Sequence, residues 1–243
     1  MKKIIWLFLM TLAFSSCNKE EESGMITLKF IHNWDGIPVT NQDFNDLKFT
    51  NANGEKVSIE RFRYLISNIN IINSKNYLLV DLKDNSGTEI TITDLQKGTA
   101  TLKFTFGFED EDNIDGSYQD LNSVSFNVPG MLGGGYHFMQ FDGKYRNIDN
   151  QDASFNYHAI RAVDRTYLDN LVLQDTSFEV NLGDIKINNN TIVEIKVNIA
   201  EWFTNPNTWN LNELNTVLMP NFEAQKMMSA NGKSVFSLGV VTE

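Results

Sequence analysis

The three histidines of this sequence are its best candidates for chemically active side chains. His137 and His158 lie in two segments of alternating apolar and polar residues, which predict two β-strands. Asp142-Gly143 predicts a turn between these strands, and residues 147–152 predict a polar loop. Histidines on neighbouring strands can approach each other or meet a third strand, and imidazole is a good ligand for copper.

Alternation along the first of these strands also assigns faces. It places His137 with Met139 and Phe141, on the face opposite to Tyr136. A cross-strand packing role for His137 therefore remains open beside a role as a metal ligand.

The third histidine, His32, follows an apolar strand predicted at residues 25–31. Trp34 lies two residues further on, so it shares a face with His32 if the strand continues. It would either shield a metal ion or anchor the strand end by packing. A lone histidine is also commonly a partly buried residue that is hydrogen-bonded to the backbone, and that alternative stays open for His32 and His158.

A dense acidic loop at residues 109–116 is a second candidate metal site. Asp110, Asp112 and Asp115 precede Gly116 and would offer oxygen ligands to calcium. Their spacing does not match the twelve-residue calcium-binding loop of an EF-hand, which lies between two helices. The alternative is an ordinary loop whose charges face water.

The N-terminus predicts export and lipid attachment. Two lysines, an apolar run at residues 4–14 and Ser15-Ser16 precede Cys17, which is typical of a lipoprotein signal peptide over residues 1–16. Cys17 would then carry the lipid, and residues 17–24 would form a flexible acidic tether. These features predict an outer-membrane lipoprotein of a Gram-negative bacterium, surface-exposed or facing the periplasm. The alternative is an ordinary cleaved signal with an incidental cysteine.

The composition excludes several classes of site. Cys17 is the only cysteine, so the domain beyond it forms no disulfide, thiolate zinc site or iron–sulfur cluster. The formal net charge of −11 disfavours nucleic acid and favours cations. The sequence lacks a Gly-x-Ser-x-Gly elbow, a His-Glu-x-x-His helix and a glycine-rich loop before a helix, so we expect a protein that is not an enzyme.

Short alternating segments between turns recur along the chain, with the strictest alternation at residues 191–199. They predict an all-β fold, an antiparallel β-sandwich with long loops and one or two short helices near the C-terminus. The clearest helix is predicted at residues 221–230, before Gly232, and residues 211–218 are a further candidate. No proline- or serine-rich linker divides the chain, so residues 25–243 are expected to form one domain.

Several segments, taken in order, resemble the MbnP-like family of copper-binding proteins, which are secreted or lipid-anchored. The segments that carry the resemblance are residues 63–69, residues 104–108 with the acidic loop, Met131 with Gly135-Tyr136, Gly143, and residues 155–158. Together they span roughly residues 25–203.

The resemblance implies a β-sandwich-like domain that binds one copper ion, Cu(I) or Cu(II), through histidines. His32 and His158 correspond to the family's histidines, while His137 has no counterpart and is the lesser candidate, as a third ligand. Tyr136 and Met131 would lie near the site, although core filling is the simpler role for Met131. Some members oxidise a tryptophan to kynurenine as a ligand, which is excluded here because residues 132–134 are Leu-Gly-Gly.

The sequence thus predicts a cell-envelope lipoprotein that binds a single copper ion for acquisition or storage. The alternative is a metal-free β-sandwich module that binds a glycan or a protein partner at the cell surface. Trp202 and Trp209 would then stack on sugars, although simple packing also explains them.

Overall fold

The computed structural model describes residues 23–74, 76–167 and 170–243. The predicted signal peptide, Cys17 and the tether up to residue 22 lie outside this range. Ser23 and Gly24, predicted as the end of the tether, instead begin the first strand. Within the described residues, no helix is both long enough and apolar enough to span a bilayer.

The described chain is mostly strand, so the predicted all-β fold is confirmed. The strands are β1 (Ser23–Trp34), β2 (Ile37–Pro38), β3 (Phe49–Thr50), β4 (Lys56–Val57), β5 (Arg61–Ser67), β6 (Tyr77–Asp81), β7 (Glu89–Gln96), β8 (Gly98–Phe106), β9 (Met139–Arg146), β10 (Asp152–Ala159), β11 (Ala162–Asp164), β12 (Val172–Gln174), β13 (Phe178–Ile187), β14 (Thr191–Asn198) and β15 (Phe236–Thr242). Two α-helices, α1 (Gln119–Ser123) and α2 (Phe222–Gly232), accompany them, with 3₁₀ turns at Asn41–Asp43, Gly130–Leu132 and Ile199–Phe203.

The strands form two large sheets. The first has the order β15-β14-β1-β2, with β7 also pairing with β1. The second has the order β13-β8-β5-β9-β4-β3, with β10 on β9 and β6 on β5. Strands β11 and β12 form a separate hairpin. Phe30 of the first sheet meets Tyr64 and Phe104 of the second, each with ring centroids 6.2 Å apart, so the aromatic core lies between the sheets.

One pairing departs from the predicted antiparallel arrangement. β1 and β14 pair in parallel, from Ile26 opposite Thr191 to Asn33 opposite Asn198. No tight turn joins these two strands, which are far apart in the sequence, so no local signal sets their relative direction.

The hairpin that carries His137 and His158 turns later than predicted. β9 runs straight through Asp142-Gly143, and the loop at residues 147–151 joins it to β10. The prediction of a turn at Asp142-Gly143 is therefore wrong. Glycine is needed at position 143 for close packing, because a Cβ there would lie 2.1 Å from the Ser58 carbonyl oxygen.

The predicted C-terminal helix is present as α2. The Asn221 side chain caps it by accepting a hydrogen bond from the Ala224 backbone N–H at 3.0 Å. Residues 211–218 form turns, so the second predicted helix is absent from this part of the described chain.

Candidate metal centre

His32 lies in the core between the two sheets and is only 4% exposed. Its Nε2 is 3.1 Å from the Tyr64 hydroxyl oxygen, and its ring meets Phe62 edge-on with centroids 6.0 Å apart. Burial lowers the pKa of His32 to about 4, so the imidazole is neutral at physiological pH. This histidine is hydrogen-bonded within an aromatic interior.

His158 lies on the opposite side of the second sheet from this interior. Its cross-strand partner is Gln140, whose partner on β5 is Arg63. Directly paired residues point to the same face, whereas Tyr64, next to Arg63, points to the other. Because His32, on β1 of the first sheet, contacts Tyr64, His32 and His158 lie on opposite sides of the second sheet, and the structure does not bring them together.

His137 and His158 do come together. Their ring centroids are 5.3 Å apart, and the rings are nearly perpendicular, at 83°. Strict alternation would have placed His137 with the inward-facing Met139, but the chain bends at Phe138 before β9 begins, and His137 turns toward His158. The weakest of the three predicted ligands is thus the one that approaches His158.

The His137 ring is held by a backbone carbonyl and is only 5% exposed. Its Nδ1 is 3.0 Å from the Phe126 carbonyl oxygen. A carbonyl oxygen only accepts, so Nδ1 carries the proton and Nε2 keeps an unprotonated lone pair. Nε2 is buried and has no hydrogen-bond partner within the described chain. Burial, with a smaller contribution from His158, lowers the pKa of His137 to about 3, which keeps this nitrogen unprotonated.

A carboxylate holds the His158 ring. Its Nε2 is 2.7 Å from Asp142 Oδ1, so Nε2 is the donor, and in the neutral form of the ring Nδ1 carries the lone pair. Asn156 donates to the same oxygen at 2.7 Å, and Arg61 lies 3.1 Å from Oδ2. Burial raises the pKa of Asp142, but the hydrogen bonds from His158 and Asn156 and the charges nearby outweigh it and hold that pKa below its usual value. The Asp142-Gly143 pair predicted a turn, and no pattern in the sequence pointed to the contact of Asp142 with His158.

Residues 124–126 cover this outer face. Arg63 donates through Nη2 to the Val124 carbonyl oxygen at 2.9 Å, and Gln140 donates to the Ser125 carbonyl oxygen at 3.3 Å. The backbone N–H of His137 donates to the Phe126 carbonyl oxygen at 2.9 Å, and the Phe126 ring contacts the His137 ring. The cover leaves the His137 ring buried while the His158 ring stays partly exposed.

A turn of three glycines, residues 133–135, precedes His137 and helps to place it beside His158. Gly133, Gly134 and Gly135 all have positive φ, and a Cβ at Gly135 would lie 2.3 Å from Asn113 Oδ1. That oxygen accepts the backbone N–H of Tyr136 at 2.7 Å. The turn therefore requires glycine at position 135.

The predicted neighbours of the site take other roles. Tyr136 is fully buried, and its hydroxyl group accepts the Tyr118 backbone N–H at 2.8 Å. Met131 is 69% exposed, so the expected core-filling role is wrong. Trp34 is buried, stacks on Phe49 with centroids 4.9 Å apart and donates to a backbone carbonyl, as a packing anchor does.

The acidic loop does not gather its carboxylates around a common point. Asp110 pairs with Arg161 at 3.2 Å, while Asp115 is exposed and lies beside Gly134. Among residues 23–74, 76–167 and 170–243, no group of three or more His, Cys, Asp or Glu side chains is arranged to hold a metal ion. Calcium binding at Asp110, Asp112 and Asp115 stays a prediction.

Comparison with known proteins assigns the chain to a family. The family model for MbnP matches residues 23–220, which is most of the chain. Among solved structures, MbnP from Methylosinus trichosporium is similar, with 10% identity, coverage of 75% of this chain and 78% of that one, and a TM-score of 0.48. No curated protein matches the sequence. From the match of the family model, the chain belongs to the MbnP family.

Proposed function

We propose that this protein binds one copper ion, as Cu(I), between His137 and His158, and that His32 takes no part. The observation that carries the proposal is the buried Nε2 of His137, which holds a lone pair and has no hydrogen-bond partner in the described chain. Buried polar atoms in native proteins are nearly always satisfied, and a bound metal ion is a partner that would satisfy the lone pair of this nitrogen. A second imidazole stands 5.3 Å away, centroid to centroid, close enough for both rings to reach one ion.

The surroundings of the pair resemble those of metal-binding histidines in general. Such histidines donate their other ring N–H to a carbonyl or a carboxylate, which fixes the tautomer and the ring orientation. Here the Phe126 carbonyl oxygen does this for His137 and Asp142 does it for His158. Neither acceptor is a ligand in this proposal.

The donor set favours the monovalent ion. The pair supplies two neutral imidazoles, which suit copper. Divalent zinc is usually held by four ligands, whereas the described residues contain no group of three or more His, Cys, Asp or Glu side chains that could hold one ion, and Asp142 is already hydrogen-bonded to His158. Arg61 already pairs with Asp142, so the nearby carboxylate adds little net negative charge for a divalent ion.

In its wider setting, the protein is proposed to be a non-catalytic outer-membrane lipoprotein that acquires or stores copper. This part rests on the lipoprotein signal, with Cys17 as the lipid acceptor. Cys17→Ser should move the protein from the membrane fraction to the soluble fraction or leave its signal peptide uncleaved. A variant that stays as firmly bound and as fully processed as the parent would contradict the anchor.

The copper proposal is tested by metal stoichiometry. The parent, His137→Ala, His158→Ala and the matched control His32→Gln are loaded with Cu(I) under reducing, oxygen-free conditions, passed through size exclusion and analysed for copper. The parent and His32→Gln should retain one ion per chain, and the other two variants should retain none. A parent that retains no copper would leave the metal-free alternative, a module for a protein partner.

Trp202 and Trp209 are fully buried and offer no stacking surface to a sugar.

A further inference from the structure

Asp142 lies at the centre of a set of contacts that extends the pair of histidines outward. Its Oδ1 accepts from His158 Nε2 and from Asn156 Nδ2, both at 2.7 Å. Its Oδ2 faces the Arg61 guanidinium at 3.1 Å. Contacts on both oxygens, from Asn156 and Arg61, therefore hold the plane of the carboxylate in its orientation toward the imidazole.

This fixed carboxylate determines which nitrogen of His158 is available. An ionised carboxylate only accepts, so the ring proton is confined to Nε2 and the lone pair to Nδ1. Without that constraint the neutral ring has two tautomers, and the one with a proton on Nδ1 has no lone pair there. In that tautomer the His158 ring also loses its hydrogen bond to Asp142, which fixes the ring beside His137 with the ring centroids 5.3 Å apart.

We propose that Asp142, held by Arg61 and Asn156, is the positioning residue that fixes the tautomer and orientation of His158, and that Asp142 itself is not a ligand. The inference rests on the proposed copper function for its effect on affinity. Its effect on the tautomer is a property of the metal-free protein and is measured without copper.

The test uses Asp142→Asn, which keeps the size of the side chain but offers an N–H₂ group as well as an oxygen. Arg61 favours the amide oxygen on its own side, and Asn156 can turn its side-chain amide so that its oxygen accepts from the new N–H₂ group. The N–H₂ group then faces His158 Nε2, and the ring proton shifts toward Nδ1. We expect long-range proton–nitrogen NMR of ¹⁵N-histidine-labelled, metal-free protein to show only Nε2–H for the His158 ring in the parent and substantial Nδ1–H for the same ring in the variant. Competition against a chromophoric Cu(I) chelator should show an affinity lower by about 10- to 100-fold.

The chain supplies a matched control on the same hairpin. Asp152 pairs with Arg146 at 3.1 Å across β9 and β10, as Asp142 pairs with an arginine, but it has no histidine partner in the described chain. Asp152→Asn should leave both the tautomer of His158 and the Cu(I) affinity unchanged. Arg61→Gln keeps the carboxylate, so it should preserve the Nε2–H tautomer and weaken copper binding less than Asp142→Asn does. If Asp142→Asn does not fold, Arg61→Gln is the variant that tests the contacts between Arg61, Asp142 and His158.

The outcomes separate the two claims. If the parent binds no Cu(I), the proposed function fails, while a changed tautomer in Asp142→Asn still supports the positioning role. If the His158 tautomer in folded Asp142→Asn is that of the parent, the positioning role is overturned, whatever the affinity. If the tautomer changes but Cu(I) binds as in the parent, the positioning role holds for the metal-free protein, and its expected effect on copper affinity is overturned.

Discussion

Two buried histidines on opposite sides of the second sheet differ in whether their Nε2 has a hydrogen-bond partner within the described chain. His32 and His137 are almost equally buried, at 4% and 5% exposure, and burial lowers the pKa of both far below 6.5. The Nε2 of His32 has the Tyr64 hydroxyl group as a partner, which can donate or accept, whereas the Nε2 of His137 has none in the described chain. Burial and a low pKa therefore do not distinguish these two histidines, and the proposal of His137 as a ligand rests instead on its unsatisfied nitrogen.

The surroundings of the two rings sharpen the comparison. The rings of Phe62 and Tyr64 pack against His32, which lies within the continuous aromatic core. A second imidazole contacts His137, whose Nδ1 is hydrogen-bonded to the Phe126 carbonyl oxygen. The first region should therefore respond to mutation mainly through stability, and the second mainly through metal binding.

The largest expected effect is on the inner region. His32→Ala removes a buried ring and leaves the Tyr64 hydroxyl group without its partner, which should lower the free energy of unfolding by about 3 kcal/mol. His158→Ala, at a partly exposed position, should cost less than about 1 kcal/mol. Urea denaturation of both metal-free variants checks this. Equal losses would show that the two regions are not energetically distinct.

The contribution of buried His32 to stability should also appear in the pH dependence of the free energy of unfolding. Burial depresses the folded-state pKa of His32 to about 4, below the usual 6.5, so the unfolded chain binds the proton first. Its stabilising contribution is complete above pH 6.5 and is lost as the pH falls toward 4. The shift corresponds to about 3 kcal/mol. The free energy of unfolding of His32→Gln should thus fall less steeply than that of the parent between pH 6.5 and 4. Parallel curves for parent and variant would contradict the assignment.

The smallest expected effect is stabilisation by the metal itself. Free Cu(I) at 100 times its Kd should raise the free energy of unfolding by about 2.7 kcal/mol, because only the folded protein holds the paired imidazoles. The parent and His32→Gln should show this gain, and His137→Ala should show none. Thermal denaturation with and without Cu(I), in an oxygen-free buffer, measures it. A gain that survives in His137→Ala would place the ion elsewhere.

The site could be predicted in part from the sequence. The alternation on either side of residues 147–152 predicts the hairpin that holds His137 and His158, and the pair does approach across it. The assignment of the metal to His32 with His158 followed from the family resemblance, and these two residues lie on opposite faces. Alternation failed at His137 because a bend at Phe138 breaks the period of two.

The sequence by itself determined the local features of this protein: the strands, the Asn221 cap of α2 and the absence of any cysteine beyond Cys17. These depend on neighbours a few residues apart, whose spacing is visible in the chain. Only the tertiary structure decided the parallel pairing of β1 with β14, the burial of His32 and the contact of Asp142 with His158. Each of these depends on which strand lies alongside another and which segment covers a face, and long-range packing, not local spacing, sets that choice.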